Sequence, residues 1–299
     1  MKKNIQQLTE QTRLLIEAGD IRMLHVFLDD LNISDVEDLI DELPEQAPLV
    51  IDTMSINRAI NVFRILDSPT QERIITKLPG NKISEVINGL PPDDRTNFLG
   101  ELKDQELQHR LITLLSPEDR KEVFTLLSYP EDSIGRMMTP DFLAISKDYT
   151  VEETLHYIRK NGKNSETIDV IYVVDNSGIL IDDLRIKELL ISDPKTLISD
   201  LMDGRLIYLR AQDPVEEGIK IFKMNNRVAL PVIDINGILL GIVTIDDILW
   251  VADEEYSEDM QRMGGTSALE EPYLDLPVYK LIWKRAGWRV INCIRNAIL

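Results

Sequence analysis

One cysteine, Cys293, stands in the whole chain, so no intrachain disulfide can form and a reducing setting is expected. Positive charge is scarce as well: 33 Lys and Arg face 52 Asp and Glu, for a net charge of -19. That balance repels nucleic acid phosphates and anionic membrane surfaces, and it attracts cations. No run of 18 apolar residues occurs, so no membrane-spanning helix is expected within these residues. The opening stretch MKKNIQQLTEQTRLL has lysines but no apolar signal-peptide core. Histidine is sparse: His25, His109 and His156 lie far apart without metal-ligand spacing, and each reads as a surface or partly packed residue. No nucleophile-and-base grouping is present, which leaves a metal-dependent hydrolase unsupported; no catalytic residue is expected.

What is present is a chain of 299 residues, 43% apolar, long enough for two domains with real cores. Residues 5–42 place apolar side chains at helical spacing, with a helix restart at Asn32-Ile-Ser-Asp35 and Ser34 as the expected N-cap. Breakers then recur: Leu43-Pro44, Leu66-Asp-Ser-Pro69, Leu78-Pro79, Leu90-Pro-Pro92, Leu102-Lys-Asp104 and Leu115-Ser-Pro117. The interval between full units is about 24 residues, with a break halfway through the later units. Helices of eight to ten residues cannot bury an apolar face alone. A two-helix unit repeated in this way predicts an α-solenoid or superhelix over residues 1–130. Cap chemistry agrees, with Asp67 or Ser68 before Pro69 and Ser116 before Pro117.

The middle of the chain is written twice. Met138 pairs with Met202, and TVEE at 150–153 pairs with PVEE at 214–217, both at an offset of 64. YVVDNSGIL at 172–180 pairs with PVIDINGIL at 231–239 at an offset of 59, so the first copy carries a longer loop near 161–165. Each copy reads strand, helix, strand, Asp-x-x-Gly turn, strand, helix.

The second copy runs into GIVTIDDILWVADEEYSED, a β-branched strand followed by a helix. Seven carboxylates fall within residues 246–259, with no Lys or Arg among them. On one continuous helix Asp247, Glu254 and Glu258 share a face, and Glu255 and Asp259 form a neighbouring row. Like charges at that spacing repel. Two readings stand side by side: a solvated acidic face, or a site for a hard divalent cation, which takes oxygen ligands.

The duplicated pattern resembles the cystathionine-β-synthase (CBS) domain, which occurs in tandem pairs that sense small molecules or ions. In nucleotide-binding members a Thr or Ser and an Asp three residues later hold ribose and phosphates; Thr244 and Asp247 match those positions. The first copy has Arg185 and Glu188 there and Asp182 for the usual Gly, which argues against nucleotide binding in that copy. The whole order, a helical superhelix, then YPEDSIGRMMT at 129–139, a CBS pair and an acidic helix ending EEYSEDM, resembles the cytosolic half of an MgtE-type magnesium transporter. Ile134 departs from the common Ala of that motif. The resemblance implies a mixed fold: an all-α superhelical N-terminal domain (1–130), an α/β tandem CBS pair (131–200 and 201–262) and a C-terminal connecting or plug helix (263–299).

The resemblance further implies a homodimer through the CBS domains, at the cytoplasmic face of the cell membrane, regulating its own transmembrane pore domain. Mg2+ bound between modules would hold the pore closed when internal Mg2+ is high. The implied metal ligands are Asp247, Glu216, Glu255, Glu258 and Asp259 in the CBS part and Asp93 or its neighbour Asp94 in the helical part, with Asn226 in place of a common Asp. Trp250 replaces another Asp and cannot ligate Mg2+. Without cation, the acidic faces at Asp93 and Asp94 and at Asp247 and Glu255 are expected to repel; with it, the modules close. The alternative is an adenine-nucleotide sensor using Thr244 and Asp247, with ATP as ligand. Residues 268–288 carry Lys280, Lys284 and Arg285 beside Trp283 and Trp288, fitting a lipid surface, an acidic CBS face or an ordinary amphipathic helix. Arg289, Asn292, Arg295 and Asn296 interrupt any span, so the chain is expected to be truncated before the pore, with an altered tail.

Overall fold

The computed structural model of the protein describes residues 5–249 and 251–252. Ten helices come first: α1 (Ile5–Glu17), α2 (Ile21–Asp29), α3 (Ile33–Glu42), α4 (Ala47–Thr53), α5 (Ile56–Phe63), α6 (Ser68–Lys77), α7 (Gly80–Gly89), α8 (Pro92–Glu101), α9 (Gln105–Thr113) and α10 (Pro117–Leu127). Their ends follow local chemistry. The Asp67 carboxylate accepts from the Thr70 amide at 3.1 Å, Asp104 from Glu106 at 2.9 Å, and the Ser116 hydroxyl from Asp119 at 3.0 Å. Each satisfies an amide that the first turn leaves without a helical partner. Pro69, Pro92 and Pro117 sit in first turns, where a missing N–H costs nothing. Ser34 is not the cap of α3. Asn32 takes that place with an extended backbone, because the helix starts two residues earlier than the Ser-Asp pair suggests.

Alternate helices stack: α3 on α5 on α7, and α2 on α4 on α6 on α8 on α10. That is the two-row packing of a solenoid. One continuous apolar core runs from Leu8 to Val123. Phe63 and Phe98 meet edge to face within it, ring centres 5.2 Å apart.

The duplicated half forms two three-stranded sheets. In the first copy β1 (Ala144–Ser146) pairs parallel with β2 (Val170–Val174), which pairs antiparallel with β3 (Leu180–Arg185); α11 (Val151–Asn161) connects β1 to β2, and α12 (Ile186–Ile191) follows β3. The second copy repeats this with β4 (Leu209–Arg210), α13 (Val215–Asn225), β5 (Ala229–Ile233) and β6 (Leu239–Thr244). A helix over 245–249 succeeds β6. The added length of the first copy lies in a 3-10 turn, Gly162–Asn164, where the spacing placed it.

Both faces of β2 and β5 are buried. Ile171 and Val173 face α11 and α12, while Val170 and Tyr172 face the other sheet. Leu230 and Val232 face α13, and Ala229 and Ile233 close the shared core. This is the period of two expected of a strand between two layers. The Asp-x-x-Gly turns place Gly178 and Gly237 at φ 79° and 85°, where a Cβ would be strained. The two turn tips pair with each other, Leu180 N donating to Gly237 O and Leu239 N to Gly178 O, both at 3.0 Å.

The copies also exchange their leading segments. Ile134 and Met138 pack in the core of the second copy, and Thr139 pairs with Ile242 of β6. Ile198, Leu201 and Met202 pack in the core of the first. Each spatial unit thus borrows the start of the other repeat.

Candidate functional site

Helix α8 begins Pro-Asp-Asp-Arg, and its first turn faces the duplicated half. Asp93 is 7% exposed, and its Oδ1 has no hydrogen-bond partner. Asp94 contacts Arg64, whose Nε lies 2.6 Å from Oδ2. Arg64 caps the C-terminus of α5, one row away, and its other arm points to Glu166 at 4.0 Å, just after the long loop of the first copy. Asp246 and Asp247 approach from the helix that follows β6, and Asp247 accepts a hydrogen bond from the Thr244 hydroxyl. Elements from all three modules thus bring four carboxylates, Asp93, Asp94, Glu166 and Asp247, around one guanidinium, with exposed Asp246 next to three of them.

Their protonation records the crowding. Burial pushes the Asp93 carboxyl well above its ordinary value, and Asp94, Asp247 and Glu166 push it further. Asp247 is raised to about 6, mainly by burial; the Thr244 hydroxyl opposes this, and Asp246, Asp94 and Glu166 add to it. Asp94 and Glu166 are also raised by burial, which the neighbouring Arg64 only partly offsets. For Arg64 burial works against the charge, yet Asp94, Glu166, Asp93 and Asp247 outweigh it and hold the group above its usual value. A half-buried negative cluster with one fixed cation retains unmet demand for positive charge.

Beside it Arg95, 3% exposed, serves a second group. Its guanidinium lies 2.8 Å from Asp119 and 3.8 Å from Glu122, both on α10. Burial raises the Asp141 carboxyl at the start of the duplicated half, and Arg95 only partly offsets this.

The sequence-based candidates separate. Asp93, Asp94 and Asp247 come together. Glu216 is exposed in the first turn of α13 and Asn226 is exposed at its C-cap, in a left-handed conformation with φ 48°. Ten residues of helix put these two roughly 15 Å apart, so one protomer cannot offer both to one ion. Glu255, Glu258 and Asp259, with Trp250 and the segment 263–299, lie outside the described residues. The expected crowding of like charges recurs among the described residues, with Asp247 raising Asp93 and Asp94 raising Asp247, while Arg64, which the sequence did not single out, contacts Asp94 and Glu166 beside them. Arg64 and Glu166 escaped sequence reading. Glu166 carried one signal, its place beside the loop that lengthens the first copy. Arg64 carried none, since only the stacking of α5 near α8 gives it a role.

Among the described residues no three His, Cys, Asp or Glu side chains converge closely enough to hold a metal by themselves. The donor set is nevertheless all oxygen, and Asp93 Oδ1 is buried without a partner. This chemistry fits a hard divalent ion that keeps several waters. In the first CBS copy, Glu188 instead caps its own helix through the Arg185 amide at 3.0 Å. Asp182 there is fully buried and accepts from the Gly204 amide at 3.1 Å. Among the described residues no helix is long and apolar enough to cross a membrane.

Comparison with known proteins bears on the family and the fold. Residues 31–132 match the model of the MgtE intracellular N domain, and residues 134–191 and 198–254 match that of the CBS domain. The chain is 32% identical over 286 residues to the magnesium transporter MgtE of Thermus thermophilus, covering 95% of this chain and 64% of that protein. It is 27% identical over 279 residues to the Bacillus subtilis protein of that name, covering 93% and 61%. The chain thus spans less than two thirds of the length of these relatives. A crystal structure of the cytosolic domain of the Mg2+ channel MgtE in complex with ATP superposes with a TM-score of 0.79 at 33% identity, over 81% of this chain and 99% of that one. The soluble part of a magnesium transporter, at 23% identity and a TM-score of 0.75, shares the fold over 84% of this chain and 99% of its own.

Proposed function

The chain belongs to the MgtE family, and from that premise we propose that it is the Mg2+-sensing regulatory part of a magnesium transporter, closing the pore when internal Mg2+ is high. The observation that carries the reading is Asp93: a buried carboxylate with an unpaired oxygen, at a junction of three modules lined by oxygen ligands. Asp93, Asp94 and Asp247 would hold the ion, partly through water; the proposed ligands Glu255, Glu258 and Asp259 lie outside the described residues. The ion supplies a double positive charge where like charges otherwise oppose closure. At an effective dielectric of about 20, two unit charges 4 Å apart interact by roughly 4 kcal/mol. Reversing the sign of that contribution favours the closed arrangement, since Mg2+ then binds one state better than the other. Glu216 and Asn226, too distant for one intrachain site, would serve ions shared across a CBS homodimer. Leu190, Ile191 and Met224 lie exposed on α12 and at the end of α13, an apolar set that a partner subunit would cover. The pore itself would be the part of the relatives' length that this chain does not span.

Titration calorimetry tests the reading. Mg2+ should bind the wild-type chain, and Asp93→Asn with Asp247→Asn should remove most of the heat. Equal binding by the double variant would reject the assignment.

A second ligand is favoured by a separate observation. Thr244 and Asp247 are already joined by a hydrogen bond, the pair that a ribose and phosphate would engage, and a relative's structure contains ATP. Asp182 and the Glu188 cap fill the equivalent places of the first copy, so one nucleotide per chain is the expected stoichiometry. Calorimetry with ATP, and its loss in Thr244→Ala, distinguishes this ligand from Mg2+ alone.

A further inference from the structure

The helical domain leaves one end of a row open. Helices α4, α6 and α8 each have a row neighbour on both sides, whereas α2 has only α4 among the described residues. A solenoid end stays soluble alone when its outer face is polar. Here that face is apolar: Ile21, Met23 and Val26 on α2 and Leu14 on α1 are 48% to 61% exposed. Grooves of about 520 Å³ and 630 Å³ run along the two sides of α2 and share His25 and Val26. Asp29 and Asp30 line the first, Asp52 and Arg22 the second, so acid stands on both sides of the apolar face. That surface fits one more helix, apolar along one side and basic at its edges.

We propose that residues 276–288 of the same chain occupy this place. Their sequence, LPVYKLIWKRAGW, carries Lys280, Lys284 and Arg285 and no acid. At helical spacing Tyr279, Ile282, Trp283 and Ala286 share one face, with Lys280 and Arg285 to either side of it. Residues 253–275, which separate the segment from the described structure, reach up to about 75 Å when extended. Such a tether holds the segment at a local concentration on the order of millimolar. A second copy would bring another acidic rim, and an anionic lipid surface would be repelled by this one. Docking ties the first helices of the chain to its last residues, and it stands independently of the ion site at Asp93.

The test uses the full chain with Cys293→Ser, which leaves no native cysteine. Val26→Cys with Ala286→Cys is treated with a short bismaleimide. Glu152→Cys with Ala286→Cys, on the exposed start of α11, is the control. Far-UV circular dichroism checks that each variant is folded. The Val26 pair should cross-link roughly tenfold faster than the control or more, as a docked segment does against a freely tethered one, and the product should migrate as a monomer. Asp30→Lys with Asp52→Lys should slow the reaction roughly tenfold, the scale of two exposed ion pairs turned repulsive. Adding Lys280→Glu and Arg285→Glu to that variant should restore the rate. Equal rates for the Val26 and Glu152 pairs would overturn the proposal. A dimeric product would give the groove to a second copy and overturn it as well. A charge reversal without effect would remove the complementarity on which the choice of segment rests, and the proposal falls. Co-sedimentation of the chain with anionic vesicles, together with a slow Val26 pair, would assign the segment to a lipid surface instead.

Discussion

Ile134 and Gly218 share one volume. Ile134 is fully buried, and a Cβ on Gly218 would lie 2.6 Å from its Cδ1. The larger side chain, where Ala is common in the resembling family, is matched by an absent one on α13. Ile134→Ala should cost about 2–5 kcal/mol through a cavity, and Gly218→Ala about 1–3 kcal/mol through overpacking. Combined, the two should cost clearly less than their sum, because the new methyl enters the vacated space. Urea denaturation of the four proteins measures this, and strict additivity would refute the shared volume. A second expectation at this scale concerns protons. Asp93, Asp94, Glu166 and Asp247 all sit above their ordinary values, Asp247 at about 6. Where the folded state keeps protons that the unfolded chain has released, stability falls as pH rises. In EDTA, stability should therefore decline from about pH 4 to about pH 6, and Asp247→Asn should flatten the decline. Asp119 and Asp234, held below their ordinary values, act in the opposite sense at lower pH. Thermal melts across this range decide it; a rise in stability over the same window contradicts the assigned burial.

At the scale of elements, the exchanged segments hold the CBS pair together. Gly241 in β6 permits this: a Cβ there would meet Thr139 O at 2.7 Å and Met138 at 3.2 Å. Gly241→Ala should push the 138–139 segment off β6, cost about 1–3 kcal/mol, and speed cleavage between residues 129 and 140. Unchanged cleavage would mean the segment yields without leaving. The elements themselves were largely legible. Pro and Asp or Ser at 67–69, 104 and 116–117 are local signals with local causes, and the offsets of 64 and 59 located the inserted loop. The start of α3 was misread because Ser34 is as good a cap by composition as Asn32. The exchange was not legible, since neither segment carries a mark of the copy on which it packs. The same divide runs through the site. Asp93, Asp94 and Asp247 stand in acidic runs and in a recognisable motif, whereas Arg64 and Glu166 acquire meaning only from the stacking of helices and the docking of modules.

For the whole molecule, the decisive feature is that two sets of cores meet through a mostly polar junction. The fully buried part of the helical core ends at Val123, with half-buried Leu127 still packed on it, while Leu126 at the end of the same helix packs with Ile134 and Met138 of the CBS pair. Apolar continuity therefore passes through a single turn of α10, and the remaining described coupling includes the clusters around Arg64 and Arg95. Polar interfaces between domains couple unfolding weakly. Calorimetric melting in EDTA should accordingly resolve two transitions. An ion held at the junction binds only while both sides are folded, so its binding energy must appear in whichever transition breaks the junction first. An ion present at about ten times its dissociation constant adds roughly 1.4 kcal/mol, enough to raise that transition by a few degrees and narrow the gap. Sodium chloride at matched ionic strength only screens, so it should leave the gap open. A gap that closes equally in both salts would show that general screening, and not a bound divalent ion, couples the two halves of this chain.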